Sequence, residues 1–190
     1  MISVAGVAAA DRTLALDDAT HWALRARDGD PSAQAAFVRA TQAEVWRFTA
    51  ALVDRDSADD LLQDTYLRAF RALPAFEGRS SARTWLLGIA RRACADHLRT
   101  VVRRRRLDER LTGQAHTDHP YPDPAGQFGA ADLLRRLPAE RRGAFVLTQL
   151  LGLSYAEAAA VEGVPVGTIR SRVARARAEL VEAVGDALAS

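Results

Sequence analysis

The stretch that most constrains this chain is Ser154 to Leu180, which reads as two helices joined by a short turn. Ser154 followed three residues later by Glu157 is a capping box, in which hydroxyl and carboxylate each satisfy an amide left unpaired at a helix start. Glu162-Gly163-Val164-Pro165 ends that helix, because Gly supplies a left-handed exit while Pro, lacking an amide donor, suits the first turn of the next. In the second helix Ile169, Val173, Ala176 and Leu180 recur at i, i+4, i+7 and i+11 as one buried stripe. The other faces carry Thr168, Arg170, Ser171, Arg172, Arg175 and Arg177. At about 100° per residue, Arg170 lies about 100° from Ile169, Ser171 about 200° and Arg175 about 240°, whereas Arg172 lies about 60° from the stripe. A helix-turn-helix fits, with its second helix in the major groove, where arginine bridges guanine edges or phosphates and Ser or Thr reaches either. The plainer alternative is an amphipathic hairpin with a solvated basic face.

With 48% hydrophobic residues among 190, the chain can bury the core of one domain or of two small ones. Alanine and leucine dominate and strand-length alternation is absent, so the expected class is all-α. The net charge of +2 hides an uneven distribution. Between Arg79 and Arg106 nine arginines stand against the single acid Asp96, whereas Asp54 to Asp64 holds five acids against Arg55. An acidic face cannot serve nucleic acid, so two different partners are implied. The single Cys94 excludes an internal disulfide and a multi-cysteine zinc site, and its apolar neighbours mark a buried structural thiol. No apolar run approaches the ~20 residues that cross a bilayer, and Ile2 to Ala10 lacks a basic start, so a cytoplasmic protein without membrane insertion is expected.

Residues 1–16 are small and uncapped and are expected to be mobile. A short helix is expected from Asp17 to Arg27, ended by Asp28-Gly29-Asp30-Pro31, and Ser32 can cap the next, with Phe37, Val45, Phe48 and Leu52 on its apolar face. Ser57 then opens a helix through Leu73 that buries Ala58, Leu62, Thr65 and Ala69 and turns Asp59, Asp60, Gln63 and Asp64 partly outward. Acids near a helix start favour the dipole, but four polar or acidic groups in six residues exceed that need. After a loop from Pro74 to Ser81, a helix from Ala82 to Arg99 turns Trp85, Ile89 and Ala93 inward and Arg91, Arg92 and Arg99 outward, and Arg103 to Arg106 extends it as a basic tail. Three prolines between Gly113 and Gly126 make a linker between two domains, on which His116, Asp118 and His119 lack a fourth metal ligand. Helices from Ala130 to Leu137 and from Pro138 to Leu151 then lead into the hairpin.

Set in order, these pieces resemble the extracytoplasmic-function (group 4) sigma factors of bacterial RNA polymerase, and within them the sigma-C-like branch. The resemblance covers Asp18 to Leu180 and rests on the run Asp56 to Phe70, on Phe76 and Gly78 followed by Arg83 to Arg91, on Leu137-Pro138 with Arg142, and on the hairpin. It implies two small helical domains joined by a flexible linker: a sigma-2 helical bundle over 17–106, a linker over 107–129 and a sigma-4 helix-turn-helix domain over 130–190. Asp59, Asp60, Gln63 and Asp64 match the family's contact with the β′ coiled-coil of core polymerase, whose β subunit is a further expected partner. Phe76, Gly78, Arg79, Ser80 and Ser81 match the loop that holds a base flipped from the −10 element, and Arg83, Arg91, Arg92 and Arg99 would track the backbone. Pro165, Gly167, Thr168, Arg170, Ser171 and Arg175 match the face turned to the −35 element. Two residues depart from the pattern. Arg92 stands where many members carry Asn, which favours a phosphate over a base contact, and Arg79 stands where others are acidic. The family implies promoter DNA as a partner, an anti-sigma protein as a candidate partner, and neither cofactor nor metal.

Three functions then compete. A promoter-specificity subunit of RNA polymerase uses every feature and has no chemistry of its own. A stand-alone helix-turn-helix regulator explains the C-terminal half but leaves the acidic helix and the basic surface without a task. An enzyme lacks a grouped nucleophile, base and orienting residue.

Overall fold

The computed structural model describes residues 18–112 and 130–189. The N-terminal stretch 1–16, the linker centre and the His116, Asp118 and His119 set lie outside them. Helix α1 spans 18–27, α2 Pro31–Leu52, α3 Arg55–Ala72 and α4 Ala82–Thr112, with a 3-10 turn at Leu73–Ala75. The second half holds α5 (Ala130–Arg136), α6 (Ala139–Phe145), a π turn at Val146–Leu150, α7 (Tyr155–Glu162) and α8 (Val166–Ala189). The all-α class holds: among the described residues there is no strand.

Helix starts fall where side chains can satisfy free amides, and twice the capping residue lies upstream of the expected one. Asp30, not Ser32, caps α2, accepting from the amides of Ser32 and Ala33 with Pro31 in the first turn. A carboxylate there is a strong acceptor and also favours the dipole. Asp54 likewise caps α3 by accepting from the Ser57 amide at 2.7 Å, so the helix begins at Arg55 rather than at Ser57. The α7 start is the expected capping box, and Gly163 ends that helix in the left-handed conformation at φ 68°.

Helix α4 departs further, running unbroken to Thr112. The basic tail and the first residues assigned to the linker are therefore helical, since nothing between Arg99 and Thr112 breaks a helix. The expected helix from Pro138 to Leu151 instead changes to π spacing after Phe145.

Phe37, Phe48, Leu86 and Leu87 fill the first half, and Leu147, Ile169 and Val173 the second. One continuous apolar core joins them, because α7 packs on α4 and α6 on α2. The expected stripe of α8 is buried at Ile169, Val173 and Ala176, while Leu180 is half-buried. In α3 Leu61 and Tyr66 take the buried positions and Leu62 is half-buried. The Tyr66 hydroxyl lies 2.6 Å from Thr41 Oγ1, and burial pushes it up to about 12. Cys94 is buried as expected, its thiol also pushed up to about 12 by burial.

Candidate nucleic-acid interface

The acidic patch lies on one face of α3. Asp60 and Gln63 are exposed, and Asp64 is half-exposed and pairs with Arg68 one turn on at 2.9 Å. Asp59 is exposed but tied down, accepting from the Trp46 indole at 2.8 Å while the Arg55 guanidinium sits over that ring. Leu67, which sits among Tyr66, Ala69 and Phe70 in the sequence, is 58% exposed. At 100° per residue it falls within about 20° of Asp60 and between Gln63 and Asp64. An apolar side chain centred in a polar rim is the composition of a protein-binding patch.

An ion-pair chain leads from that patch to the basic surface. Arg68 also bonds Asp96 of α4 at 2.6 Å, and Asp96 accepts from Arg99. These arginines, Arg68 first and Arg99 second, hold the Asp96 carboxyl below its usual range, while Asp96 and then Asp64 push the Arg68 guanidinium up. The helices are thereby registered to one another. Arg92 and Arg99 stand exposed beyond them.

The loop before α4 is built rather than slack. The Phe76 ring is buried and lies 4.8 Å from the Trp85 ring, its carbonyl accepts from Arg27 of α1 at 3.2 Å, and the Ala82 amide donates to Thr20 at 2.9 Å. Gly78 takes φ 70°, a backbone shape that favours glycine. Arg79 is 85% exposed and pairs with Glu77 at 3.2 Å, and Ser80 is exposed. Ser81 differs: its hydroxyl accepts from the Thr84 amide at 3.2 Å and so caps α4. Trp85, expected inward, is half-exposed, and with Ile89, Arg92 and Arg99 it lines an open depression. An aromatic face among arginines is the makeup of a stacking platform for an unpaired base.

Two arginines expected on the DNA side are engaged elsewhere. Arg83 is 4% exposed, bonds Glu44 at 2.6 and 2.8 Å, and donates to the Leu151 carbonyl of the second half. In this arrangement it is a structural ion pair and not a surface group. Arg91 is partly covered by α7, bonding Glu162 at 3.0 Å. Glu162, with a side chain 1% exposed, also faces Arg172 at 3.6 Å. Neither pairing shows in the sequence, because the partners lie 39 and 71 residues apart.

Just before α8 Pro165 is exposed, and on α8 Gly167, Arg170, Ser171 and Arg175 are exposed and Thr168 is half-buried. Arg172 is held at the flank by Glu140 at 2.9 Å as well as by Glu162. The orientation expected from periodicity holds: Arg170, Ser171 and Arg175 point outward and Arg172 does not. Arg142 anchors the base of this half, donating to the carbonyls of Leu52, Arg135 and Leu137. Burial, and then nearby Arg135, pull its guanidinium down from its usual range. Among the described residues no group of three or more metal-ligating side chains exists, and no helix is long and apolar enough to cross a membrane.

The chain folds into two helical units, one carrying an acidic and a basic face on adjacent helices and the other a helical hairpin whose second helix turns Arg170, Ser171 and Arg175 outward. The family model for Sigma-70 region 2 matches residues 34–106, and that for Sigma-70, region 4 matches residues 130–180. The chain is 52% identical over 168 residues, 85% of its length and 89% of the relative's, to an ECF RNA polymerase sigma factor SigC of Mycobacterium tuberculosis. The probable RNA polymerase sigma-C factor of Mycobacterium bovis matches with the same identity and coverage. Its fold is similar to the sigma factor RpoE of Bartonella quintana, solved with the anti-sigma factor NepR, at 31% identity and TM-score 0.64 over 78% of this chain and 94% of that one. It is also similar to CnrH, solved with the cytosolic domain of CnrY, at 27% identity and TM-score 0.67 over 90% and 98%. The chain belongs to the extracytoplasmic-function sigma factors. It is an RNA polymerase sigma factor.

Proposed function

We propose that the α3 face of Asp60, Gln63 and Asp64 around Leu67 docks on the β′ coiled-coil of core polymerase, with Asp59 bracing it through Trp46. The loop Phe76 to Ser81 and the Trp85 depression receive the unpaired strand of the −10 element, with Arg79 and Ser80 as the groups free to contact it. Arg92 and Arg99 hold its phosphates, and Arg170, Ser171 and Arg175 read the −35 element. Binding only a flipped base, which costs a few kcal/mol to unstack, converts recognition into strand opening. The chain supplies recognition in the cytoplasm, and the polymerase supplies the chemistry.

The observation that carries this reading is the ion-pair chain Asp64–Arg68–Asp96–Arg99, which ties a protein-binding face to a strand-binding face on adjacent helices. A stand-alone regulator has no use for the first of these. Arg83 and Arg91 take part only once the second unit moves off α4. By analogy with the relative solved with an anti-sigma factor, such a protein over the polymerase-binding faces is a further expected partner. Run-off transcription on genomic fragments tests the assignment: adding the chain to core polymerase should start transcripts at defined sites. Failure to co-purify with core, or transcripts indistinguishable from core alone, overturns it.

A further inference from the structure

Helix α1 lies outside the span matched by the region 2 model, which begins at residue 34, yet it reaches the loop before α4 at three points. At the loop's entry Arg27 donates to the Phe76 carbonyl at 3.2 Å, and at its exit the Ala82 amide donates to Thr20 Oγ1 at 2.9 Å. Between them the Leu24 side chain lies against Gly78, 3.7 Å from where a Cβ there would stand. Thr20, Leu24 and Arg27 fall at i, i+4 and i+7, on one face of α1 about 60° wide at 100° per residue. Ala19, Ala23 and Ala26 form a neighbouring face about 100° round and are 2%, 0% and 3% exposed. Side chains this small seat the α1 backbone close on the core, which brings the short Thr20 hydroxyl to an amide 62 residues away. The loop, with no helix or strand ladder over 76–81, depends on such ties for a single shape, since each backbone residue left free has to be fixed at the moment of binding.

We infer that α1 is a positioning element for strand opening: Thr20, Leu24 and Arg27 hold the loop Phe76 to Ser81 preset in the shape that receives the flipped base of the −10 element. The inference rests on the proposed reading of that loop. The three residues act through the loop and not on DNA. They fix its two ends and its glycine, so that Arg79 and Ser80 present their polar groups with little ordering cost on binding. Thr20 also satisfies the amide of Ala82, a residue 0% exposed at the first position of α4, so one hydroxyl sets both the loop's end and the helix start.

The test uses holoenzyme formed from core polymerase and the full chain, bound to a promoter fragment found by run-off transcription, with abasic sites placed one at a time through the opened −10 strand. Wild type should lose about tenfold or more in affinity at the position of the flipped base, as for a stacked base removed. Thr20→Val and Arg27→Met should each shrink that loss by about fivefold, at that position alone, which is the worth of one hydrogen bond. Thr20→Ser, which keeps the hydroxyl, should retain it in full. So should Arg25→Met, which removes the same charge as Arg27→Met from a site about 140° round α1 from Thr20. Thermal melts separate a misplaced loop from a lost fold, and Arg27→Met carries the test alone where Thr20→Val does not fold, since Arg27 is exposed. An unshrunk loss in both Thr20→Val and Arg27→Met, or a loss shrunk equally in Arg25→Met, overturns the positioning role. A wild type with no position-specific loss overturns the reading of the loop itself, so the two failures are told apart.

Discussion

Glu162 supplies an ion pair between the two halves, beside their shared apolar core and the hydrogen bonds of Arg83 to Leu151 and of Arg142 to Leu52. Its carboxylate, 1% exposed, lies 3.0 Å from Arg91 of α4 and 3.6 Å from Arg172 of α8. Glu162→Gln keeps the volume and removes the charge, leaving both guanidiniums without that anion. Breaking a fully buried pair costs about 3–5 kcal/mol. Here the Arg91 and Arg172 side chains keep 27% and 17% exposure, and Arg172 retains Glu140 at 2.9 Å, so rehydration offsets part of the loss. A net cost of about 1–3 kcal/mol follows, equivalent to a shift of about five- to 150-fold in the equilibrium between packed and separated halves if all of it crosses the interface. Only the Arg91 part does. A double-mutant cycle with Arg91→Gln isolates it, with a coupling of about 1 kcal/mol expected for neighbours in one network. Small-angle scattering should report a larger radius of gyration and thermal unfolding a lower midpoint. Gly143→Ala should act the same way from the other side, because an added Cβ would stand 2.6 Å from Glu162 Oε1 and 3.6 Å from Leu52. Unchanged compactness and melting in Glu162→Gln, with no coupling to Arg91, would refute the clamp.

Leu67→Ala should weaken binding to core polymerase by about 1–2 kcal/mol in a titration while leaving the melting point in place, because an exposed anchor contributes to docking and not to the core; Asp60→Arg should weaken it through repulsion. Ser81→Ala should lower stability by about 1 kcal/mol through loss of the α4 cap, whereas Ser80→Ala should not, and any defect of Ser80→Ala should appear in permanganate footprinting of the opened −10 element. Stability should fall as pH rises from 10 to about 12, because Tyr66 ionises near 10 when unfolded but stays neutral up to about 12 when folded. The two-unit difference is worth about 2–3 kcal/mol, and Tyr66→Phe should remove that share of the alkaline loss in denaturant titrations. In the second unit, Arg170→Ala or Arg175→Ala should relax preference at one −35 position by about 1–3 kcal/mol, while Arg172→Ala should lower stability instead, as read on a panel of single-base variants.

Local grammar determined much of this protein from sequence alone. Ser154 with Glu157, Gly163 before Pro165 and the Ile169, Val173 and Ala176 stripe specified the hairpin and the outward face of its second helix. These signals act within one or two turns, where backbone geometry leaves few alternatives. The same holds for the acidic face of α3, read from spacing. Helix ends were less legible, since Asp30 and Ser32, or Asp54 and Ser57, are competing caps and only the packed geometry of the chain selects one. The destinations of the long side chains were not legible at all. An arginine in a basic run looks the same whether it meets solvent, as Arg92 does, or a carboxylate brought from 39 or 71 residues away, as Arg83 and Arg91 do. Tertiary structure alone decided that Leu67 is exposed, that Trp85 shows one side to a depression, and that Glu162 joins the two halves. Exposure and ion pairing depend on which elements meet in space, and helical periodicity describes only which side of its own axis a residue occupies.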